Sequence, residues 1–390
     1  MISPFSFKSL PAIIFGSGVR SQISQSVVPY GGKTLLVTGG KSFINSNHFQ
    51  ELQEQLARHK VDYHTEHISN EPSPEVIDEI VARSKNEQID SVVAIGGGSV
   101  LDAGKAISAM LQENGSVTQF LEGVGDKEPS GKKLPFIAVP TTSGTGSEAT
   151  SNAVLSVVGP KGFKKSLRHD NYIPNIAIVD PELTLSCPPA LTAACGMDCF
   201  TQLVEAYLST NSSALTDTFA LQGIEAIARS LTSVFQQGNN IDARNDLSYA
   251  AMLSGVVLAN AGLGTVHGFA SAIGGVIPAA HGIVCGTLME PCNRLTLSRL
   301  RKADKENPAL DKYTTLGRTF SSEKQKSDSW YQDYFIDSLA EISNHLGIPD
   351  LTIFKITEAQ FEKILSDTGN KYNPVQLDRN DLETILKSKS

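Results

Sequence analysis

Four residues in the second half of the chain have the types and spacing to bind a divalent metal. Asp198 and Gln202 stand four apart in Gly196-Met197-Asp198-Cys199-Phe200-Thr201-Gln202, and His267 and His281 follow in Val266-His267-Gly268 and Ala280-His281-Gly282. A helix over Leu191–Leu208 places Asp198 and Gln202 on one face, a turn apart. Carboxylate oxygen and imidazole nitrogen are donors suited to Zn2+ or Fe2+. The neutral amide of Gln202 is a weaker donor, which lowers affinity or leaves that corner to water. The plainer alternatives are an internal cap or salt bridge for Asp198 and hydrogen-bonded packing histidines for the other two. Cys199 and Cys285 are soft donors close by, but a buried free cysteine is usually packing.

Two glycine-rich runs upstream are suited to phosphate. Gly96-Gly97-Gly98-Ser99 follows the apolar run Ser91–Ile95 and opens a helix carrying Asp102 and Lys105. Glycines let the backbone turn sharply against a pyrophosphate, and the free N–H groups of a helix start bind anions. Ser99 adds a hydroxyl, whereas the charge of Lys105 reads as solvated. The second run, Pro140 to Glu148, contains Thr141, Thr142, Thr145 and Ser147 and is dense in donors and poor in bulk. Neither run closes on Gly-Lys-Ser/Thr, which disfavours kinase or ATPase chemistry. A third turn, Gly39-Gly40-Lys41-Ser42, ends the strand Lys33–Thr38. NAD is commonly chosen by a carboxylate near the ribose hydroxyls. Here glycine, a cation and a hydroxyl stand instead, which favours NADP(H) over NAD(H).

These residues need a scaffold of two kinds. Up to about residue 185, buried strands (33–38, 91–95, 134–139, 176–179) alternate with helical segments (49–60, 76–85, 101–111). That pattern predicts an α/β domain with a mostly parallel sheet and helices on both faces. Residues 152–158 and 161–168 read as a small hairpin. After Pro181 the segments 191–208, 216–230, 247–259, 263–277, 335–346 and 358–365 carry helical periodicity, and 321–329 reads as a loop. The expected division is a dinucleotide-binding domain over 1–185 and an all-α, metal-binding domain over 186–390.

Composition narrows the function classes. The net charge of −8 disfavours nucleic acid, which requires a concentrated basic face. Five cysteines without a CxxC pair suit a reducing compartment. The first ten residues lack a secretory pattern, and no apolar run approaches the roughly 20 residues needed to span a bilayer. The expected location is the cytoplasm.

Taken together, Ile14-Phe15-Gly16-Ser17-Gly18, the GGGSxxDxxK run from Gly96 to Lys105, the Thr141–Glu148 loop, Asp180-Pro181, Gly196-Met197-Asp198, Glu205-Ala206-Tyr207 and the His267–Gly282 stretch resemble the iron-containing (group III) alcohol dehydrogenases, relatives of glycerol dehydrogenase and dehydroquinate synthase. The resemblance implies the dehydroquinate synthase-like fold, a cleft active site, a homodimer and a small alcohol or aldehyde substrate. Its metal ligands fall on Asp198, Gln202, His267 and His281, so the chain reads as a variant with Gln at one ligand position. A further family histidine near the nicotinamide falls on Ser271. The family's NAD-selecting acid falls on Gly39, and a hairpin lysine near the coenzyme on Lys164. The competing readings are a catalytically impaired nucleotide-binding homologue and a dehydroquinate synthase-like lyase.

Overall fold

The computed structural model describes residues 2–390, which form two compact units. One comprises Phe7–Val157 with Gly162–Cys187; the other comprises Pro188–Ser390 with Val158–Lys161 and the N-terminal residues to Ser6.

The first unit is built on β1 (Ala12–Phe15), β2 (Lys33–Thr38), β3 (Asp62–His67), β4 (Ser91–Gly96), β5 (Phe136–Pro140) and β8 (Ile176–Val179). They make one parallel sheet in the order β1-β8-β5-β4-β2-β3. Side chains alternate between its faces, so each central strand feeds two cores. Leu35, Val37, Val92, Ala94, Phe136 and Ala138 pack on one side with α4 (Pro74–Ser84) and α5 (Gly98–Met110). Leu36, Val93, Ile95, Ile137, Val139 and Ile178 pack on the other with α1 (Ile23–Val27) and α3 (Asn47–Arg58). A short helix, α2 (Lys41–Ile44), begins directly after β2 and its glycine turn.

A two-stranded antiparallel hairpin, β6 (Asn152–Val157) with β7 (Phe163–Arg168), completes the unit. Asp180 ties its end to its beginning. One carboxylate accepts the N–H groups of Gly18 and Arg20, each at 3.1 Å, and the Arg20 guanidinium at 2.9 Å. The Gly-Ser-Gly and Asp-Pro motifs therefore meet as a structural clasp.

The second unit is helical: α6 (Pro189–Leu208), α7 (Ala214–Gln236), α8 (Ile241–Ala261), α9 (Thr265–Val276), α10 (His281–Ala303), α11 (Pro308–Phe320), α12 (Asp328–His345), α13 (Glu358–Asp367) and α14 (Arg379–Lys387). The predicted class, an α/β dinucleotide-binding fold followed by an all-α part, is what the chain adopts. No single helix among the described residues is long and apolar enough to cross a membrane.

Candidate metal and dinucleotide site

Three helices of the second unit bring the metal-binding side chains together. Asp198 projects from the middle of α6, His267 from the first turn of α9, and His281 from the first residue of α10. Cys285 lies one turn after His281 on the same face of α10. Gly282 allows the approach, because a Cβ there would sit 2.0 Å from the Ala194 carbonyl oxygen of α6.

The four donor atoms lie within 4.8 Å of one another. His267 Nε2, His281 Nε2 and Cys285 Sγ are 3.3, 3.5 and 3.6 Å from Asp198 Oδ1, and Cys285 Sγ is 3.8 Å from His267 Nε2. A tetrahedron with metal–ligand bonds of about 2.0–2.3 Å has edges of about 3.3–3.8 Å. These four separations fall in that range, and carboxylate, imidazole and thiol are the donor types such an ion takes. The residues present fit a divalent metal.

The electrostatics of the group are mutual. Burial opposes the charged form of Asp198, but the His281 and His267 rings outweigh it and hold the carboxyl below its ordinary range. Burial also opposes a protonated His267, yet the Cys285 sulfur, Asp198 and Glu205 together raise that ring well above its usual value. The Cys285 thiol is pushed up to about 11, chiefly by burial. A metal bound here would have to displace protons from this network, as thiol coordination does elsewhere.

Gln202 stands outside the donor set, and the reading of this chain as a variant with Gln at a ligand position is corrected. It is buried a turn beyond Asp198, but its Oε1 accepts a hydrogen bond from Ser254 Oγ of α8 at 2.8 Å. Helix spacing does not separate the two cases, since Gln202 stands i+4 from Asp198 as Cys285 does from His281; the hydrogen bond to Ser254 is what engages the Gln202 oxygen elsewhere. Cys285 occupies the fourth corner. With an intact cluster in place, the expectation of an impaired homologue loses its ground.

Glu205 also went unassigned from sequence. It lies seven residues after Asp198 on the same side of α6 and accepts the His267 ring through Nδ1 at 2.7 Å. Its signal was the i, i+7 spacing, visible only once a helix is assumed. Ser271, one turn after His267 on α9, is exposed.

In the first unit the two glycine-rich runs pack on each other. Gly97 caps α5, and a Cβ at Gly98 would lie 2.5 Å from the Thr145 side chain, so only glycine fits between helix start and loop. Gly96, Gly97, Gly98, Ser99, Thr141, Thr142 and Thr145 thus gather at the carboxyl ends of β4 and β5, where open parallel sheets bind ligands. Asp102 and Ser147 are tied to each other and to the hairpin. Ser147 Oγ donates to Asp102 Oδ1 at 2.5 Å, while Asp102 Oδ2 accepts the Val154 N–H of the hairpin at 3.1 Å.

Lys105 is not solvated. It is fully buried, and its ammonium donates to Ser147 O, Ser147 Oγ, Thr150 Oγ1 and Asn152 O at 2.7–3.1 Å. Gly39 and Gly40 follow β2, and Lys41 and Ser42 are exposed at the start of α2. Lys164 of β7 pairs with Glu71 at 2.5 Å.

Comparison with known proteins agrees with this geometry. The iron-containing alcohol dehydrogenase pattern matches residues 11–181, and the C-terminal pattern of the Fe-containing alcohol dehydrogenase family matches 192–390. The chain is 33% identical over 356 residues to long-chain-alcohol dehydrogenase 1 of Geobacillus thermodenitrificans, covering 90% of this chain and 87% of that one. It is 32% identical over 282 residues to the NAD-dependent methanol dehydrogenase of Bacillus methanolicus, covering 72% and 73%. Among solved structures, alcohol dehydrogenase from Oenococcus oeni superposes with a TM-score of 0.88 at 28% identity, covering 99% of this chain and 100% of the other. On the cluster of Asp198, His267, His281 and Cys285 and on family patterns that match residues 11–181 and 192–390, the chain belongs to the iron-containing alcohol dehydrogenase family.

Proposed function

We propose that this chain catalyses reversible hydride transfer between a nicotinamide dinucleotide, NADP(H) in preference to NAD(H), and a small alcohol or the corresponding aldehyde or ketone. Residues 1–185 hold the dinucleotide and residues 186–390 hold Fe2+ or Zn2+. The observation that carries this reading is the convergence of Asp198, His267, His281 and Cys285, whose donor atoms lie within 4.8 Å of one another in a largely buried cluster. When bound, the ion supplies Lewis-acid polarisation of the substrate oxygen and stabilises charge that develops there.

The remaining work falls to the chain. Asp198, His267 and His281 present two imidazoles and a carboxylate that orient the ion, with Cys285 as the fourth donor. Ser271, exposed a turn beyond His267, offers a hydroxyl in place of a titratable ring, so a proton leaving the substrate oxygen passes to water, the coenzyme ribose or another hydroxyl. The start of α5 with Ser99, together with Thr141, Thr142 and Thr145, supplies N–H and O–H donors for the pyrophosphate. Lys41 and Ser42, beside Gly39 and Gly40, face a ribose 2′-phosphate with a cation and a hydroxyl and without a competing carboxylate. Lys164, held by Glu71, fixes a positive charge on the hairpin near the coenzyme. The homodimer implied by the family likeness belongs to the same proposal.

The test is NADPH oxidation by the purified, metal-loaded protein over a panel of short and long aldehydes and ketones. Aldehyde-dependent oxidation with a kcat/KM for NADPH above that for NADH supports the reading. No oxidation of either coenzyme with any carbonyl compound would overturn it.

A further inference from the structure

Glu205 is buried, with its side chain 6% exposed, and it serves two partners at once. Oε1 accepts the Val266 N–H at 2.6 Å; Oε2 accepts the His267 N–H at 3.4 Å and lies 2.7 Å from His267 Nδ1. Val266 and His267 open α9, whose own cap residue, Gly264, has no side chain to offer. The carboxylate from α6 therefore caps α9 from outside. Gly264 leaves room for it: a Cβ there would stand 3.0 Å from Glu205 Oε1 and 3.2 Å from Asn373 Oδ1, so both side chains would have to shift by a few tenths of an ångström.

A carboxylate only accepts hydrogen bonds, so the His267 nitrogen facing it must carry a proton. In a neutral imidazole the other nitrogen, Nε2, then holds the lone pair, and that is the nitrogen directed at Asp198 and Cys285. We infer that Glu205 is the positioning residue of the metal site, selecting the Nδ1–H form of His267 and fixing the first turn of α9 so that Nε2 is delivered as a ligand. This rests on the metal-binding reading of the cluster.

Glu205→Gln tests it with almost no change of volume. A carboxamide has one accepting oxygen where the native site needs two. If that oxygen faces Val266 N–H, the amide N–H₂ faces His267, and the ring can accept it only by moving its proton to Nε2, which then cannot bind metal. If the oxygen faces His267, the N–H₂ meets the Val266 N–H and the cap is broken.

The measurements are Zn2+ affinity by competition with a chromogenic chelator, the nitrogen-bound proton signals of His267 in the zinc-loaded proteins, and the melting temperature of each metal-free protein. The expected result is a loss of affinity of about 10–100-fold, the range for outer partners of ligating histidines. The protected Nδ1–H signal should be present in the native protein; in the variant it should be lost where the amide oxygen turns to Val266, and kept where it turns to His267, with metal affinity reduced in either case because the ring's proton or the first turn of α9 is displaced. A lower melting temperature with Zn2+ affinity within about twofold of native and the Nδ1–H signal intact would reduce Glu205 to a helix cap and overturn the inference, since outer-partner roles carry larger losses. Failure of the native protein to bind Zn2+ at all would overturn the metal reading of the cluster and this role with it.

Discussion

Replacing Lys105 with Met is the sharpest probe of how the Thr141–Glu148 loop, proposed to bind the dinucleotide, is held. In the folded protein the ammonium is enclosed by four oxygens of the Ser147–Asn152 segment, with Asp102 at 3.9 Å. Burial nevertheless dominates and lowers its pKa from 10.5 to about 8, against the pull of Asp102 and Glu148. The difference, 10.5 − 8 = 2.5, corresponds to about 3 kcal/mol at 1.36 kcal/mol per unit. The sign follows from proton counting. Between pH 8 and 10.5 the unfolded chain keeps a proton that the folded chain has released, so native stability rises with pH across that window.

Met at this position cannot titrate, so the pH-dependent part vanishes. It also leaves the Ser147 and Asn152 carbonyls and the Asp102 carboxylate without their buried cation, a loss of roughly 3–5 kcal/mol for breaking one side of a buried pair. Urea unfolding of both proteins, followed by far-UV circular dichroism at intervals from pH 7 to 10, measures both parts. The variant should be less stable at every pH, with a native-minus-variant gap that widens above pH 8. NADPH affinity should fall with it, because the loop bearing Thr142 and Thr145 loses its anchor. A gap independent of pH would refute the reasoning about Lys105.

Two further outcomes follow from the site. Cys285→Ser should weaken Zn2+ binding and, in the cobalt-substituted protein, abolish the thiolate-to-metal charge-transfer absorption; an unchanged spectrum would remove sulfur from the ligand set. Gly39→Asp has room, since its Cβ would meet only Val100 Cγ2 at 3.4 Å. It should raise KM for NADPH more than for NADH, and an unaltered coenzyme ratio would defeat the assignment of this turn to the 2′-phosphate.

How much was legible depended on what each residue answers to. β2, β4, β5 and β8 are apolar runs because both sheet faces are covered, and they could be read directly. β3 could not: Asp62-Tyr63-His64-Thr65-Glu66-His67 is an edge strand, ordered by pairing with β2 rather than by its own apolar content. β1, at the other edge, is apolar, but at four residues and largely exposed it is too short to stand out as a buried strand. The 23-residue helix α10 was obscured by Pro291 in its interior, which normally breaks a helix.

At the site, residue type revealed Asp198, His267 and His281, but position along a motif misassigned the fourth donor. Cys285 is selected by the face of α10, and Gln202 is withdrawn by Ser254, a residue 52 positions away. Lys105 was misread for a similar reason, since the oxygens that enclose it lie 42 to 47 positions along the chain. Long-range partners of buried polar groups leave no local trace.

A metal held by Asp198, His267, His281 and Cys285 should be required for carbonyl reduction. This requirement is tested most directly by measuring bound metal and aldehyde-dependent NADPH oxidation on the same samples of native protein, chelator-treated protein and His281→Ala. The expected result is about one metal per chain in the native protein, loss of turnover in step with loss of metal, and NADPH binding retained throughout. Full turnover in metal-free protein would contradict it.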